Sequence, residues 1–282
     1  MNYVDLHVHS TASDGSLTPR EVVAQARAQG LRAIALTDHD TIDGLGEALA
    51  AGAELELEVI PGIEISAAHE PGSMHILGYF INHGSARLDE QLRVLKQARA
   101  DRNPQIVANL QKLGMAITMA EVEAVSGGGQ VGRPHIAQVL VQKGYVADFQ
   151  TAFEKYIGNH GPAYVNKFRF APRDALAMIT EAGGLASLAH PFTLEYSSTG
   201  HLRSILIQLR DWGLAGLEVY YPEHAPERQA AYKKLALEMG LLMTGGSDFH
   251  GSIKPEITMG RVGPNLYLPY ELVEKMKARL VR

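Results

Sequence analysis

Residues 3–30 read YVDLHVHSTASDGSLTPREVVAQARAQG, and this stretch contains the pattern that decides the fold. The apolar run at residues 3–8 predicts a β-strand, residues 10–16 predict a polar turn, and residues 18–29 predict a helix. Thr18 and Pro19 supply an N-cap and a first-turn proline, and Gly30 is typical of a helix end. The repeating unit is therefore a strand, a polar loop and a helix.

The same unit recurs along the chain. Further strands are predicted at 33–37, 58–60, 63–68, 75–81, 185–189, 217–220 and 241–244, and further helices at 42–51, 172–182, 202–212 and 226–239. Strands that alternate with helices over this length favour a parallel α/β barrel or a doubly wound sheet.

One segment breaks this alternation. Residues 88–156 contain no clear strand, and apolar residues such as Leu92, Leu95, Ile106 and Leu110 recur at helical spacing. We predict two parts on this basis. Residues 1–87 and 157–282 form the α/β barrel, and residues 88–156 form a helical insertion that acts as a substrate-binding cap.

Composition excludes several classes of protein. The 282 residues include no cysteine, so disulfide scaffolds, thiolate zinc sites, iron–sulfur clusters and cysteine nucleophiles are ruled out. With 26 basic and 31 acidic residues the formal charge is −5, which argues against stable binding of duplex nucleic acid. The N-terminus does not resemble a signal peptide and no apolar run reaches about 18 residues, which predicts a cytoplasmic protein without membrane contact.

Twelve histidines are the unusual feature of the composition. His7 and His9 are two residues apart in a predicted strand, so both imidazoles point to one side. Taken singly, Asp14 fits a tight turn, and Asp38 and Asp40 fit helix caps. The joint recurrence of such residues at strand ends, where parallel barrels carry their active sites, favours a metal site instead. The candidate ligands are His7, His9, Asp14, His39, Glu64, His75, His190, Asp248 and His250.

Nine ligands are too many for one octahedral ion. We therefore predict two or three divalent ions with bridging carboxylates. A mixed set of imidazoles and carboxylates suits Mn²⁺, Fe²⁺ or Zn²⁺ better than Mg²⁺ or Ca²⁺, which prefer oxygen ligands alone.

The remaining histidines divide into two groups. His135 follows Gly132-Arg133-Pro134 at a predicted helix start, where an arginine, an imidazole and free backbone N–H groups can bind phosphate. A proline-initiated helix with a surface arginine is the alternative interpretation. Lys167 and Arg169 are further candidates for the same anion. The histidines predicted to lie at the surface are His69, His83, His160, His201 and His224.

The pattern resembles the polymerase and histidinol phosphatase family, known as PHP domains, over roughly residues 1 to 265. The four matching motifs are Asp5-Leu6-His7-Val8-His9, Thr37-Asp38-His39-Asp40, Ala189-His190-Pro191 and Ser247-Asp248-Phe249-His250, with Glu64 and His75 between them. The resemblance implies a distorted (β/α)₇ TIM-like barrel with a trinuclear metal centre. It implies three ligand sets: His7, His9, Glu64 and Asp248; Glu64, His75 and His190; and Asp14, His39 and His250.

The insertion is similar to that of the standalone bacterial branch of the family. Members of that branch remove phosphate from nucleotides such as 3′,5′-bisphosphates or trim 5′-phosphorylated RNA ends, and there Arg133 and His135 would bind phosphate. Some nucleotide-cleaving members carry a basic residue soon after the His-Pro pair, where this chain has Phe192-Thr193-Leu194. The resemblance therefore leaves the exact substrate open.

These features predict a phosphoesterase in which a hydroxide bridging two ions attacks phosphorus, because metal coordination lowers the pKa of water toward about 7. Asp40 and His135 are the candidates for protonating the leaving alcohol. A nucleotide or short 5′-phosphorylated oligoribonucleotide is the predicted substrate. Histidinol-phosphate phosphatase is the alternative enzyme. A non-catalytic metal-binding accessory module is the alternative of another class, and the intact ligand set counts against it.

Overall fold

The computed structural model describes residues 2–264 and 266–281. Its strands form one eight-stranded sheet in the order β7-β6-β5-β4-β3-β2-β1-β8. The strands are β1 Tyr3–Val8, β2 Ala33–Leu36, β3 Glu58–Ala67, β4 Met74–Tyr79, β5 Leu185–Leu188, β6 Leu214–Tyr220, β7 Leu242–Gly245 and β8 Leu268–Pro269. The two strands predicted at 58–60 and 63–68 are one continuous strand, and β8 was not predicted.

The sheet is curved into a nearly closed barrel. Strands β1, β2 and β3 are parallel, as are β5, β6 and β7, whereas β4 runs antiparallel to both of its neighbours. The chain leaving β7 returns to β1, where the His9 N–H donates to the Phe249 carbonyl at 3.0 Å and the Asp248 N–H donates to the His7 carbonyl at 2.9 Å. The predicted α/β barrel is confirmed.

Ten α-helices occur in the described part of the chain. They are α1 Pro19–Ala28, α2 Leu45–Leu55, α3 Ala86–Lys112, α4 Met119–Val125, α5 Arg133–Gln142, α6 Phe149–Ala152, α7 Pro172–Glu181, α8 Thr199–Asp211, α9 Pro226–Met239 and α10 Glu271–Leu280. The first helix begins as its sequence predicts. Thr18 accepts a hydrogen bond from the Glu21 N–H, and the Glu21 carboxylate accepts one from the Thr18 N–H.

Helix α3 belongs to two hydrophobic cores. Its first half packs Leu88, Leu92 and Leu95 into the barrel core. Its second half, which includes Ile106, packs into a separate core formed with α4, α5 and α6. Pro104 lies between the two halves and cannot donate the helical hydrogen bond to the Ala100 carbonyl. We propose that the chain divides into a barrel of residues 1–87 and 157–282 and a cap of residues 88–156. Within α3, the side chains pack on the barrel core before Pro104 and on the core of the cap after it.

The cap contacts the barrel through the loop between α4 and α5. A Cβ atom at Gly129 would overlap the Thr11 carbonyl oxygen, so only glycine allows this close approach. Next in sequence, the Gln130 N–H donates to the Ala12 carbonyl at 3.2 Å, and its side-chain Nε2 donates to the His39 carbonyl at 2.9 Å. The cap therefore rests on the loops that follow β1 and β2. Within the described residues, no helix is both long enough and apolar enough to cross a membrane.

Candidate metal centre

All nine predicted ligand residues lie together at one end of the barrel. Most of them follow the carboxyl ends of parallel strands, as the sequence predicts. His75 is different because it stands near the start of β4. Since β4 is antiparallel to its neighbours, its beginning meets their carboxyl ends, and His75 pairs with Ser66 near the end of β3. The strand reversal thus brings His75 to the same side of the sheet as the other eight residues.

These residues form three overlapping groups in which one potential ligand atom from each residue lies within 4.8 Å of those of the others. The groups are His7, His9, Glu64 and Asp248; His9, Asp14, His39 and His250; and His39, Glu64 and His75. The first group has the same members as one of the expected ligand sets. The second adds His9 to an expected set, and the third holds His39 where His190 was expected.

Glu64 is the centre of the arrangement. Its Oε2 atom is 3.2 Å from one nitrogen each of His7 and His9 and 3.0 Å from His39 Nδ1. Its Oε1 atom is 2.9 Å from His75 Nδ1 and 3.0 Å from His190 Nε2. Burial would raise the pKa of the Glu64 carboxyl, but the surrounding imidazoles hold it well below its usual range. The group is therefore a carboxylate, with two oxygens placed to bridge.

Several buried nitrogen and oxygen atoms in the cluster are suited to coordinate metal ions. Four buried atoms there make no hydrogen bond of suitable geometry, although three of them lie close to Glu64: His9 Nε2, Asp14 Oδ1, His39 Nδ1 and His75 Nδ1. Leaving such atoms unpaired costs about 1–3 kcal/mol each, and coordination of a cation removes that cost. Nitrogen and oxygen donors in this mixture suit borderline transition-metal ions. The residues present therefore fit a multinuclear metal centre.

Glu218, in the interior of β6, supports two of these residues. It is fully buried, and its Oε1 lies 2.9 Å from His7 Nδ1. Its Oε2 accepts a hydrogen bond from the His190 N–H at 2.6 Å. By engaging Nδ1, Glu218 orients the His7 ring so that Nε2 faces Glu64 and Asp248. Glu218 was not predicted, because it lies inside a strand and not at a strand end.

The last two motifs each contain a residue in an unusual backbone conformation. Asp248 has φ +55° and His190 has φ +22°, both in the left-handed region that non-glycine residues rarely adopt. A Cβ atom at Gly246 would overlap the backbone of His7, so glycine is needed for the loop after β7 to approach β1. Asp248 Oδ2 accepts hydrogen bonds from Tyr221 Oη at 2.8 Å and Lys254 Nζ at 2.6 Å.

A cluster of basic side chains lines the same cleft as the histidines. The cleft has a volume of about 1230 Å³ and separates the cap from the barrel. We refer to the following five residues as the basic cluster: Arg99, Arg102, Arg133, Lys167 and Arg169. Lys167 and Arg169 were predicted here with Arg133. Arg99 and Arg102 were not predicted, because the apolar periodicity of a helix does not show which of its polar residues face a cleft.

Asp40 is the carboxylate that the basic cluster engages. It accepts hydrogen bonds from Arg99 Nη2 at 2.6 Å, Lys167 Nζ at 3.0 Å and the Ser66 N–H at 2.7 Å. Burial alone would raise the pKa of Asp40, but the charges of Lys167 and Arg99 hold it far below its usual range. An aspartate that stays ionised is poorly suited to donate a proton, so this environment argues against the predicted acid role and favours a role in positioning Arg99 and Lys167.

Among the described residues, no carboxylate pairs with Arg102, Arg133 or Arg169. Arg102 is buried and donates only to the Asn103 side chain, and burial beside Arg99 and Arg133 lowers its pKa to about 8. Burial lowers the pKa of Lys167 to about 7 despite its contact with Asp40. Buried cations without counterions are unfavourable, and an anion bound among them would relieve the cost.

His135 is buried at the first turn of α5. Its Nδ1 accepts a hydrogen bond from the Gly132 N–H at 2.9 Å, so the ring caps the helix, and it does not line the cleft. Arg133 lines the cleft and donates to the Ile157 carbonyl at 3.1 Å. Because the charges of Asp14, Arg99 and His250 act on the His135 imidazole, the ring borders the site, and a catalytic or phosphate-binding role for it stays a prediction.

Four of the five histidines predicted at the surface are exposed or half-buried: His69, His83, His160 and His201. His224 is different, and its prediction is wrong. It is buried beside Phe192 and Tyr232, and its Nδ1 donates to the Val219 carbonyl at 2.9 Å. It packs in an aromatic cluster that a local sequence pattern does not reveal.

Comparisons with known proteins agree with this geometry. A family model described as the PHP domain matches residues 5–242. A 5′-3′ exoribonuclease from Haemophilus influenzae is 37% identical over 247 residues, which cover 87% of this chain and 89% of that protein. A 3′,5′-nucleoside bisphosphate phosphatase from Chromobacterium violaceum is 34% identical over 251 residues, covering 89% and 88%. The fold is similar to that of a proposed metal-dependent phosphoesterase from Bifidobacterium adolescentis, with a TM-score of 0.88, 30% identity and coverage of 98% and 96%.

Proposed function

The chain belongs to the PHP domain family, and we propose that this metal-dependent phosphoesterase removes phosphate from nucleotides. The proposed substrates are nucleoside 3′,5′-bisphosphates, nucleoside monophosphates and the 5′-phosphorylated ends of short oligoribonucleotides. By their names, one of the two relatives described above acts on nucleoside 3′,5′-bisphosphates and the other degrades RNA from the 5′ end. The proposal includes a cytoplasmic location, where such substrates occur.

One observation carries the proposal: a single cleft holds both the histidine–carboxylate centre and the basic cluster. Two of the five basic side chains, Arg99 and Lys167, pair with one carboxylate, Asp40, so the cluster keeps a positive excess. A phosphate monoester carries about two negative charges at neutral pH, and one such group does not balance that excess. A substrate with a second phosphate fits the cluster better than histidinol phosphate, which has one phosphate and a cationic amine.

We propose that the nine predicted ligands hold two or three ions, with Mn²⁺, Fe²⁺ and Zn²⁺ as candidates. Such ions lower the pKa of bound water toward neutrality and stabilise the charge that develops on a transferring phosphoryl group. The chain's own residues position the substrate. Arg102 and Arg133 bind phosphate oxygens, while Asp40 fixes Arg99 and Lys167 as donors of charge-assisted hydrogen bonds.

The test is phosphate release by the Mn²⁺-loaded protein from four substrates: adenosine 3′,5′-bisphosphate, AMP, a 5′-phosphorylated RNA dinucleotide and histidinol phosphate. We expect release from the nucleotides, with a loss of activity on chelation. Asp248→Asn should abolish turnover because Asp248 lies in the first ligand group. Preference for histidinol phosphate, or equal phosphate release by wild type and Asp248→Asn, would overturn the proposal.

A further inference from the structure

The mouth of the cleft differs in chemistry from its interior. We use the term mouth for the exposed and half-exposed lining residues that lie away from the histidines. On the cap side, Phe149 and Phe153 line it, and on the barrel side Pro255 and Ile257 do. Each phenylalanine packs partly on the cap core and leaves the rest of its surface in the cleft. Both sides of the mouth therefore contribute apolar side chains, and those on the cap side are aromatic.

The charged residues at the mouth are mostly acidic. Asp148, Glu154, Glu223 and Glu256 line it, and all four are exposed. Lys254 is the basic residue of this part of the cleft, and it already pairs with Asp248. The cleft thus changes from strongly positive beside the metal centre to negative at its opening. A further phosphate would be repelled at the mouth, whereas an uncharged group would not.

Arg133 joins the two regions. It belongs to the basic cluster, and its guanidinium carbon lies 5.5 Å from the centre of the Phe153 ring and 5.6 Å from that of Tyr164. The aromatic surface therefore begins directly beside a phosphate-binding side chain. That adjacency matches a nucleotide, in which the sugar alone separates the phosphates from the base.

We propose that the mouth is a nucleobase-binding site in which the base lies between Phe149 and Phe153 on the cap and Pro255 and Ile257 on the barrel. This inference rests on the proposed function. The base stacks on the aromatic surface without sequence preference, since every base has a π-face. The acidic rim disfavours an oligonucleotide strand leaving through the mouth, so the preferred substrate is a mononucleotide with its phosphates held at the basic cluster.

The experiment measures binding to the full-length, metal-loaded protein by calorimetry, so that it does not depend on turnover. The ligands are the non-hydrolysable methylene phosphonate analogue of adenosine 3′,5′-bisphosphate and its base-free counterpart, in which hydrogen replaces adenine. Wild type should bind the base-bearing ligand about tenfold or more tightly, the size expected for loss of one stacked base. The double variant Phe149→Leu, Phe153→Leu should reduce this ratio to near one while keeping affinity for the base-free ligand.

Leucine keeps most of the apolar volume, so the cap core should still fold. Phe149→Tyr retains a ring and should retain the ratio. Tyr267→Leu is the matched control, because Tyr267 is 44% exposed, stacks on Tyr3 and does not line the cleft. Equal affinity of wild type for the two ligands, an unchanged ratio in the double leucine variant, or an equal loss in Tyr267→Leu would each overturn the proposal. Failure of the proposed function is distinguishable, since it would appear as absent phosphate release and not as a lost binding ratio.

Discussion

Replacing Arg102 by methionine should stabilise the ligand-free protein and weaken the binding of phosphate. Arg102 is 3% exposed and donates to the neighbouring Asn103 side chain, with no carboxylate against its guanidinium. An arginine keeps its proton in proteins, so its lowered pKa is best understood as an electrostatic cost carried by the folded state. Methionine fills a similar volume without the charge.

The size of the effect follows from that cost. Lowering the pKa of Arg102 from its usual range to about 8 corresponds to about 6 kcal/mol at 1.36 kcal/mol per pKa unit, which is an upper limit. Replacing buried ion pairs by apolar side chains of similar volume is neutral or stabilises proteins by about 1–4 kcal/mol, which sets the scale for removing one buried charge. We expect a gain of about 1–3 kcal/mol, or roughly 2–9 °C in Tm. Losing a charged hydrogen bond to phosphate should lower kcat/KM by about 10- to 100-fold.

Thermal unfolding with and without inorganic phosphate tests this reasoning. Wild type should gain more Tm from phosphate than Arg102→Met does. Arg87→Met is the matched control on the same helix, because Arg87 is exposed and its pair with Glu181 contributes little. A lower Tm in Arg102→Met without ligand, combined with an unchanged response to phosphate, would show that Arg102 is neither electrostatically strained nor part of the anion site.

Three other predictions concern the metal centre, the basic cluster and the cap. Glu218→Gln should weaken metal affinity about 10- to 100-fold by loosening His7, measured as bound metal after dialysis against graded chelator; unchanged metal content would contradict this role. Sulfate affinity should fall as the pH rises through about 7, because Lys167 loses its proton there. Lys167→Arg should move that fall to higher pH, since arginine keeps its proton; the same pH dependence of sulfate affinity in wild type and variant would refute the prediction. Pro104→Ala should raise the free energy of unfolding by about 1–3 kcal/mol, since residue 104 can then donate a hydrogen bond to the Ala100 carbonyl. Denaturant unfolding measures this change, and an unchanged or lower free energy of unfolding would contradict it.

Local sequence pattern predicted most of the barrel, because capping residues, prolines and glycines mark where its strands and helices begin and end. The N-cap at Thr18 and the helix bounded by Pro226 and Gly240 are examples. The reversal of β4 was not predicted, since a strand reads the same in either direction and its orientation is fixed by pairing with β3 and β5. Helix α10 was also missed, although its Leu272, Val273 and Met276 pack beneath the sheet.

The site, like the fold, contains residues that local sequence pattern predicted and residues that it did not. Ligand candidates such as His7 and Asp248 were visible because they recur at strand ends. Arg99 and Glu218 were not, because each acts through partners more than 50 residues away in sequence, Asp40 and His7 respectively. His224 shows the reverse error, since a histidine in a polar stretch can be buried by aromatic residues from distant segments.

Because helix α3 packs in both the barrel core and the cap core, it limits where caps can be exchanged between proteins of this fold. Its first turns are part of the barrel core, so a deletion beginning at residue 88 would remove barrel packing together with the cap. Arg99 and Arg102 also precede Pro104, and a transplanted cap would inherit them from the recipient barrel. A chimaera joined at Pro104, where the helical hydrogen-bond ladder is already interrupted, would keep Arg99 and Arg102 of the host but would replace Arg133 together with the aromatic wall beside it.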